Sequence, residues 1–271
     1  VSLIFVAGVA NGACIVAVGA SNTTLVTNNL IEAYIVSSVV VRGKGKKGDR
    51  LVFTGNTSAP GAWEQTNMRG VWVTAVSSHA IRSFAVGGVG AGNVGVAGSV
   101  TVTTVSDTIK AHIDDTATVI EGEADQEDDR HSTEDDQAVN VFSAGKTIIW
   151  GVAGALAGAG TVGVGAGLDV GVLSKTVEAY IAGTVTAVGD VLVQAISYEQ
   201  IISISATLGA GGTVGVAGSV GVYTLILDSL AHIDGTAVVY SIGSVLVNAN
   251  DDTSVVMVTG SISGAGTVGV G

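Results

Sequence analysis

Hydrophobic and polar positions alternate one for one through much of this chain. In Thr161–Val172, residues Val162, Val164, Ala166, Leu168, Val170 and Val172 share one face, with Gly or Asp between them. Asp190–Ile196 and Gln200–Ala206 alternate less strictly. A period of two carried by Val, Ile and Thr predicts β-strands. Gly-Asp, Ala-Gly, Asn-Asp and Asp-Gly pairs punctuate the runs, and no stretch shows an apolar stripe at helical spacing.

The pattern also repeats over a longer period. Gly90–Val100, Gly158–Gly165, Gly211–Val220 and Gly264–Gly271 are copies of one Gly/Val motif, with a degenerate copy at Gly12–Gly19. A second marker, Ala-(Tyr/His)-Ile, begins at Ala33, Ala111, Ala179 and Ala231, at spacings of 78, 68 and 52 residues. The shortest spacing is the basic unit. The longer two contain polar inserts at the same place in the module, at about 42–69 (basic) and 121–137 (acidic). Four modules result, at about 1–93, 94–161, 162–213 and 214–267. Residues 1–19 and 254–271 represent the same part of a module. The chain is therefore expected to be a window of a longer array or a subunit that stacks end to end through strand edges.

Such a repeat predicts an all-β fold, a parallel β-solenoid whose stacked coils bury columns of like residues and whose inserts leave as loops. With roughly 17 to 26 residues per coil, a module would hold two or three coils. Glycine at alternate strand positions, as at Gly95, Gly163, Gly165, Gly215 and Gly269, points to close approach of another backbone on that face. The alternative is tolerance of small residues outside a tightly wound coil.

Composition narrows the function classes. Forty glycines in 271 residues with a single Pro fit neither collagen nor a disordered linker, so the glycine belongs to ordered structure. Cys14 is the one cysteine, which excludes an internal disulfide and a Cys-based zinc site. A net charge of −12 argues against nucleic acid as a partner. Val1–Val6 lacks the basic flank of a signal peptide. Ile148–Leu168 is a run of 21 residues without charge, yet its alternation and Gly/Val content favour strands over a transmembrane helix.

Few residues suggest chemistry. Gly158–Gly163 fits the dinucleotide fingerprint G-x-G-x-x-G, but alternation continues where a helix is required, and the same match recurs at Gly90 and Gly264. His112 and His232 occupy the module position held elsewhere by Tyr34 and Tyr180, which suits a ladder residue better than a catalyst or ligand. No catalytic residue and no cofactor is expected.

The acidic insert holds nine carboxylates and one Arg over Glu121–Asp136. Asp125, Glu127, Asp128, Asp129, Glu134, Asp135 and Asp136 are weak calcium candidates, since Ca²⁺ takes six to eight oxygen ligands, but they lack EF-hand spacing. A solvated loop is the plainer reading. The basic insert carries Arg42, Lys44, Lys46, Lys47 and Arg50. Projecting from the same edge as Glu121 and Glu123 of the acidic one, it is expected to steer association within or between chains. Ala59–Glu64 reads as a turn presenting Trp63, an anchor for its loop or a sugar-stacking face.

Gly95–Val100 leading through a Thr-rich strand to Lys110-Ala-His-Ile113 resembles repeats of very large secreted bacterial adhesins, haemagglutinins and leukotoxin-like proteins. Gly215–Val220 leading to Leu230-Ala-His-Ile233 repeats the likeness, and Glu32-Ala-Tyr-Ile35 and Glu178-Ala-Tyr-Ile181 match its end. The resemblance covers all but the two inserts. It implies an exported, right-handed β-helical, non-enzymatic surface or filament protein. The partners expected are further copies of the chain, end to end or laterally, and a surface glycan or matrix polymer. Two other classes remain open: a β-helical carbohydrate-active or sugar-binding domain, and a membrane-embedded Gly-rich β assembly.

Overall fold

A computed structural model of the chain describes residues 1–13, 15–43, 50–121 and 137–271. These form strands and turns, with no helix among the described residues. The strands are β1 (Ser2–Ala13), β2 (Val16–Ile35), β3 (Val40–Gly43), β4 (Arg50–Ala59), β5 (Ala62–Ala91), β6 (Val94–Ile113), β7 (Thr118–Glu121), β8 (Gln137–Ala159), β9 (Val162–Ile181), β10 (Thr184–Ala187), β11 (Val191–Gly211), β12 (Val214–Ile233), β13 (Val238–Ser241), β14 (Val245–Ala265) and β15 (Val268–Val270).

They stack as a parallel β-solenoid with three walls. One long wall runs β1-β5-β8-β11-β14, the other β15-β12-β9-β6-β2, and a short wall β13-β10-β7-β3 joins them at one side. We call these walls A, B and C. Each coil runs up wall B, turns into wall C and returns along wall A. It then reverses in a tight turn such as Gly92-Asn93 or Gly212-Thr213.

The register corrects the expected coil size. Val16 pairs with Val94, Val94 with Val162, Val162 with Val214 and Val214 with Val268, so one module is one coil. Twenty-residue strands, about 66 Å at the usual rise, make a wide flat coil in place of two or three small ones. Identical residues consequently align along the axis, as in the Ile35–Ile113–Ile181–Ile233 column.

The interior changes character along each strand. In β9 the buried positions are Gly163, Gly165, Gly167, Asp169 and Gly171, followed in the same phase by Leu173, Lys175, Val177, Ala179 and Ile181. Branched side chains thus fill the interior near wall C, where Val73, Ile109, Ile113, Val139, Ile181 and Val193 belong to one cluster. Toward the tight turns glycine and alanine replace them. The cross-section tapers from a conventional core to a thin edge at which the two long walls meet backbone to backbone.

The 42–69 insert leaves after Gly43 and rejoins wall A where Arg69 pairs with Gln137. At the rejoining point Gly70 has φ of 124°, and a Cβ there would strike the Ala138 carbonyl. Between them β4 and the start of β5 form an antiparallel hairpin, Arg50 opposite Met68 and Ala59 opposite Ala62. The hairpin lies on the outer face of wall A. Phe53 stacks on Phe142 at 5.0 Å, and Trp63 meets both rings edge-on at 6.2 and 6.5 Å. Backbone carbonyls of Phe53, Thr54 and Gly61 accept hydrogen bonds from Asn140, Gln194 and Lys146. This lid explains why Phe142, Ala144, Gln194 and Ile196 are buried although their neighbours in sequence point into the coil.

Candidate functional site

Two sets of chemistry-bearing residues are brought together by this architecture, one inside and one outside. Inside, polar residues take the phase of core positions where the two long walls begin to converge. His79 on β5 faces Asp107 on β6 with Nδ1 to Oδ2 at 2.8 Å, and Asn29 donates to the other carboxylate oxygen at 2.7 Å. Burial pushes the Asp107 carboxyl up, but the hydrogen bonds from His79 and Asn29 outweigh it and hold the group below its ordinary range.

One coil further on, Lys175 Nζ lies 2.6 Å from Glu199 Oε1, with side chains 1% and 0% exposed. Glu199 also accepts hydrogen bonds from Ser197 and Thr253. Burial lowers the Lys175 pKa against the raising effect of Glu199. Asp169 accepts from Thr101, Ser203 and Tyr223, and burial together with Asp169 raises the Tyr223 hydroxyl. These groups are turned into the coil and satisfied by one another. Their arrangement fixes the relation between walls A and B.

Outside, Tyr34, His112, Tyr180 and His232 form a stacked ladder on wall B, with centroids 5.1, 4.7 and 5.1 Å apart and rings within 11° of parallel. Asp114 and Asp234 sit 3.1 and 3.2 Å from Nε2 of His112 and His232. Alongside runs the column Glu32–Lys110–Glu178, in which Lys110 and Glu178 pair at 2.7 Å. Burial and the surrounding carboxylates of Asp114, Glu178, Asp234 and Glu32 raise the Tyr180 hydroxyl.

Toward the tight turns wall B's outer face is mostly apolar. Val18, Val220, Val222 and Leu168 are exposed, and a trough of about 670 Å³ crosses four coils there. Its floor is the column Ala20–Gly98–Ala166–Gly218, and one side is the ridge Val100–Leu168–Val220.

The residues singled out in the sequence fall in several places. Gly95, Gly163, Gly165 and Gly215 face inward. A Cβ on Gly163 would collide with the backbone of Ala210, one on Gly165 would lie 2.6 Å from the Leu208 carbonyl, and one on Gly215 would meet the Gly264 carbonyl. Gly95 is slightly roomier, 3.0 Å from the Gly158 carbonyl, and Gly269 lies on β15 at 3.2 Å from Ser263 Oγ. The outward Val162–Val172 face, not the glycine face, is the solvent side. Trp63 turns onto Phe53 and Phe142 beneath the hairpin. Arg42 lies on β3 beside Ile120, and Arg50 opens the hairpin. Lys44, Lys46, Lys47, Glu123, Asp125, Glu127, Asp128, Asp129, Glu134, Asp135 and Asp136 lie outside the described residues, as does Cys14. Among the described residues no three His, Cys, Asp or Glu side chains converge as a metal site would require.

Glu121 is not part of a solvated acidic loop. It ends β7 on the inner face, 1% exposed and close to Gly43, and burial pushes its pKa from 4.5 to about 7. The unfolded chain ionises this group near 4.5 and the folded chain near 7. Its contribution therefore favours folding most below pH 4.5, weakens as pH rises to about 7, and is constant above. Glu121→Gln is expected to be more stable than wild type by about 2 kcal/mol at pH 8 and equal to it near pH 4. Urea unfolding at the two pH values checks this.

The residues that sequence reasoning missed are His79, Asp107, Lys175 and Glu199. The available signal was phase, since each lies an even number of residues from a buried Val, Leu or Ile on its own strand. The uncharged run Ile148–Leu168 forms parts of β8 and β9, and no helix among the described residues is long and apolar enough to cross a membrane. No protein-family profile, curated protein or solved structure matches the chain.

Proposed function

We propose that the chain is a structural and adhesive repeat module of an extracellular filament or cell-surface stalk. The observation that carries this reading is the stacking of one module per coil, in register, on all three walls. An array of this kind lengthens by about 4.8 Å with each repeat, and its stability grows with neighbour contacts. The buried charges support the same role, because they are spent within the coil. Surface features that repeat along the axis, such as the Tyr/His ladder, suit a partner that is itself extended, whether a glycan, a matrix polymer or another copy of the chain.

The test combines location with adhesion. Protease treatment of intact producing cells is expected to release peptides of this chain, and beads coated with it are expected to bind cell surfaces or matrix polymers more than albumin-coated beads do. Protection from protease together with absent binding would overturn the reading. Turnover of a polysaccharide by the purified chain would replace it with the carbohydrate-active alternative.

A further inference from the structure

The outer face of wall B carries a continuous apolar stretch. From Val16 to Val26 and across the matching stretches of β6, β9 and β12, its outward residues include no charge. Val16, Val18, Val220 and Val222 are 55%, 61%, 52% and 47% exposed. An aqueous protein rarely leaves so continuous an apolar patch bare.

The face has relief as well as polarity. Columns of outward residues follow one another across it: Val18–Val96–Val164–Val216, then Ala20–Gly98–Ala166–Gly218, then Asn22–Val100–Leu168–Val220, then Thr24–Val102–Val170–Val222. The second is a groove, with nothing within 4 Å of a Cβ added at Gly98 or Gly218. The third is a ridge of matching length. A two-fold axis parallel to the solenoid axis, passing between these two columns, places the ridge of each copy in the groove of the other.

We propose that a second copy of the chain packs on this face, wall B against wall B with strands antiparallel, forming a dry interface of interdigitated Val and Leu columns. The proposal refines the self-association contained in the filament reading and rests on it.

The overlapping area is about 36 Å along the strands by about 19 Å across four strands, or ~700 Å² per copy, close to the ~800 Å² per partner of a stable complex. Charge within the overlap does not oppose the approach, because its outward residues carry none. The polar residues within it, Asn22, Thr24, Thr104 and Thr224, belong to the first coil or the outermost column. There they form a rim in reach of water, as protein interfaces have. In a bilayer the same groups would sit in hydrocarbon without partners. On wall A the hairpin carrying Phe53 and Trp63 covers the outer face around Phe142 and Gln194.

Sedimentation velocity on the purified chain tests the pairing. Wild type is expected to be dimeric or larger at about 50 µM, and Val100→Lys/Leu168→Lys is expected to raise the dissociation constant more than tenfold. Both positions point outward, so the circular dichroism spectrum should be retained. Gly98→Leu, which fills the groove without adding charge, is expected to weaken association as well, whereas Leu208→Lys on wall A is expected to leave it intact. A monomeric wild type would overturn the proposal, as would association unchanged by both wall B variants. Flotation of wild type, but not of Val100→Lys/Leu168→Lys, with phosphatidylcholine vesicles would assign the face to lipid instead. Association that persists through another surface would leave the filament reading standing, whereas absence of the chain from the cell surface would remove that reading without touching the dimer.

Discussion

Replacing Gly163 with Val is expected to abolish cooperative folding, or to destabilise the chain by more than about 4 kcal/mol. The added Cβ would overlap the nitrogen, carbon and oxygen of Ala210's backbone on the opposite wall. Backbone has no rotamer through which to move aside. Ala210 is also only two residues before the Gly212-Thr213 turn that ties β11 to β12, so the walls have little freedom to separate there. Neighbouring positions make the contact reciprocal, since a Cβ on Gly209 would strike the Val216 carbonyl and one on Gly211 the Val214 carbonyl. Gly90 provides the comparison. It lies in a similar Gly/Val stretch but faces outward, with nothing within 4 Å of an added Cβ. Gly90→Val is expected to change stability by no more than about 0.5 kcal/mol. Thermal and urea unfolding of the two variants measure the contrast, and equal stability would mean that the walls do not meet through glycine.

The second large effect is expected at the Lys175–Glu199 pair. Lys175→Met leaves a carboxylate enclosed in the coil with hydroxyl donors but no cation, a loss of about 3–5 kcal/mol. The double variant Lys175→Met/Glu199→Gln is expected to recover much of this, because a neutral pair no longer carries an uncompensated charge. Gly145 is part of the same local design. A Cβ there would press on the Lys175 Cε, so its absence makes room for the aliphatic stem. Double-mutant unfolding measures the coupling. Additive losses would show that the two side chains do not depend on one another.

How much of this was legible in the sequence follows from what each pattern reports. Strand identity and repeat length were readable because period-two alternation and the Ala-(Tyr/His)-Ile markers are local and periodic. The Tyr/His exchange likewise foretold a ladder, since stacked rings of either kind can fill one column. The direction of the strands' faces was less accessible. Alternation normally puts the apolar phase inside, but in Val162–Val172 the apolar phase is outside and glycine is inside. From Leu173 onward the same inner phase becomes apolar. The backbone does not change phase; the composition does, because the coil thins.

The coil is larger than the sequence pattern suggests for a related reason. Small coils turn often, whereas these strands run 20 residues without a break, and Gly-rich stretches that resemble turns in composition are extended here. The docking of the hairpin was also hidden. Its partners Phe142, Gln194 and Lys146 lie 85 to 140 residues away from it in sequence, on coils that the hairpin does not itself belong to. The same distance problem conceals His79 and Asp107, which lie on opposite walls and meet only after the coil closes.

If one module makes one coil, residues one module apart lie side by side on neighbouring strands and can be trapped as a disulfide. Val170 and Val222 are in-register neighbours on β9 and β12, about 4.8 Å apart and facing outward. In a Cys14→Ser background, Val170→Cys/Val222→Cys is expected to form an intramolecular bridge on mild oxidation, detected by mass spectrometry of the intact chain and its peptides. Coils of half a module would place these positions nearly 10 Å apart, beyond the ~7 Å limit for a disulfide, and would bring Val170 beside Ile196 instead. A bridge in Val170→Cys/Ile196→Cys and none in Val170→Cys/Val222→Cys would contradict the account.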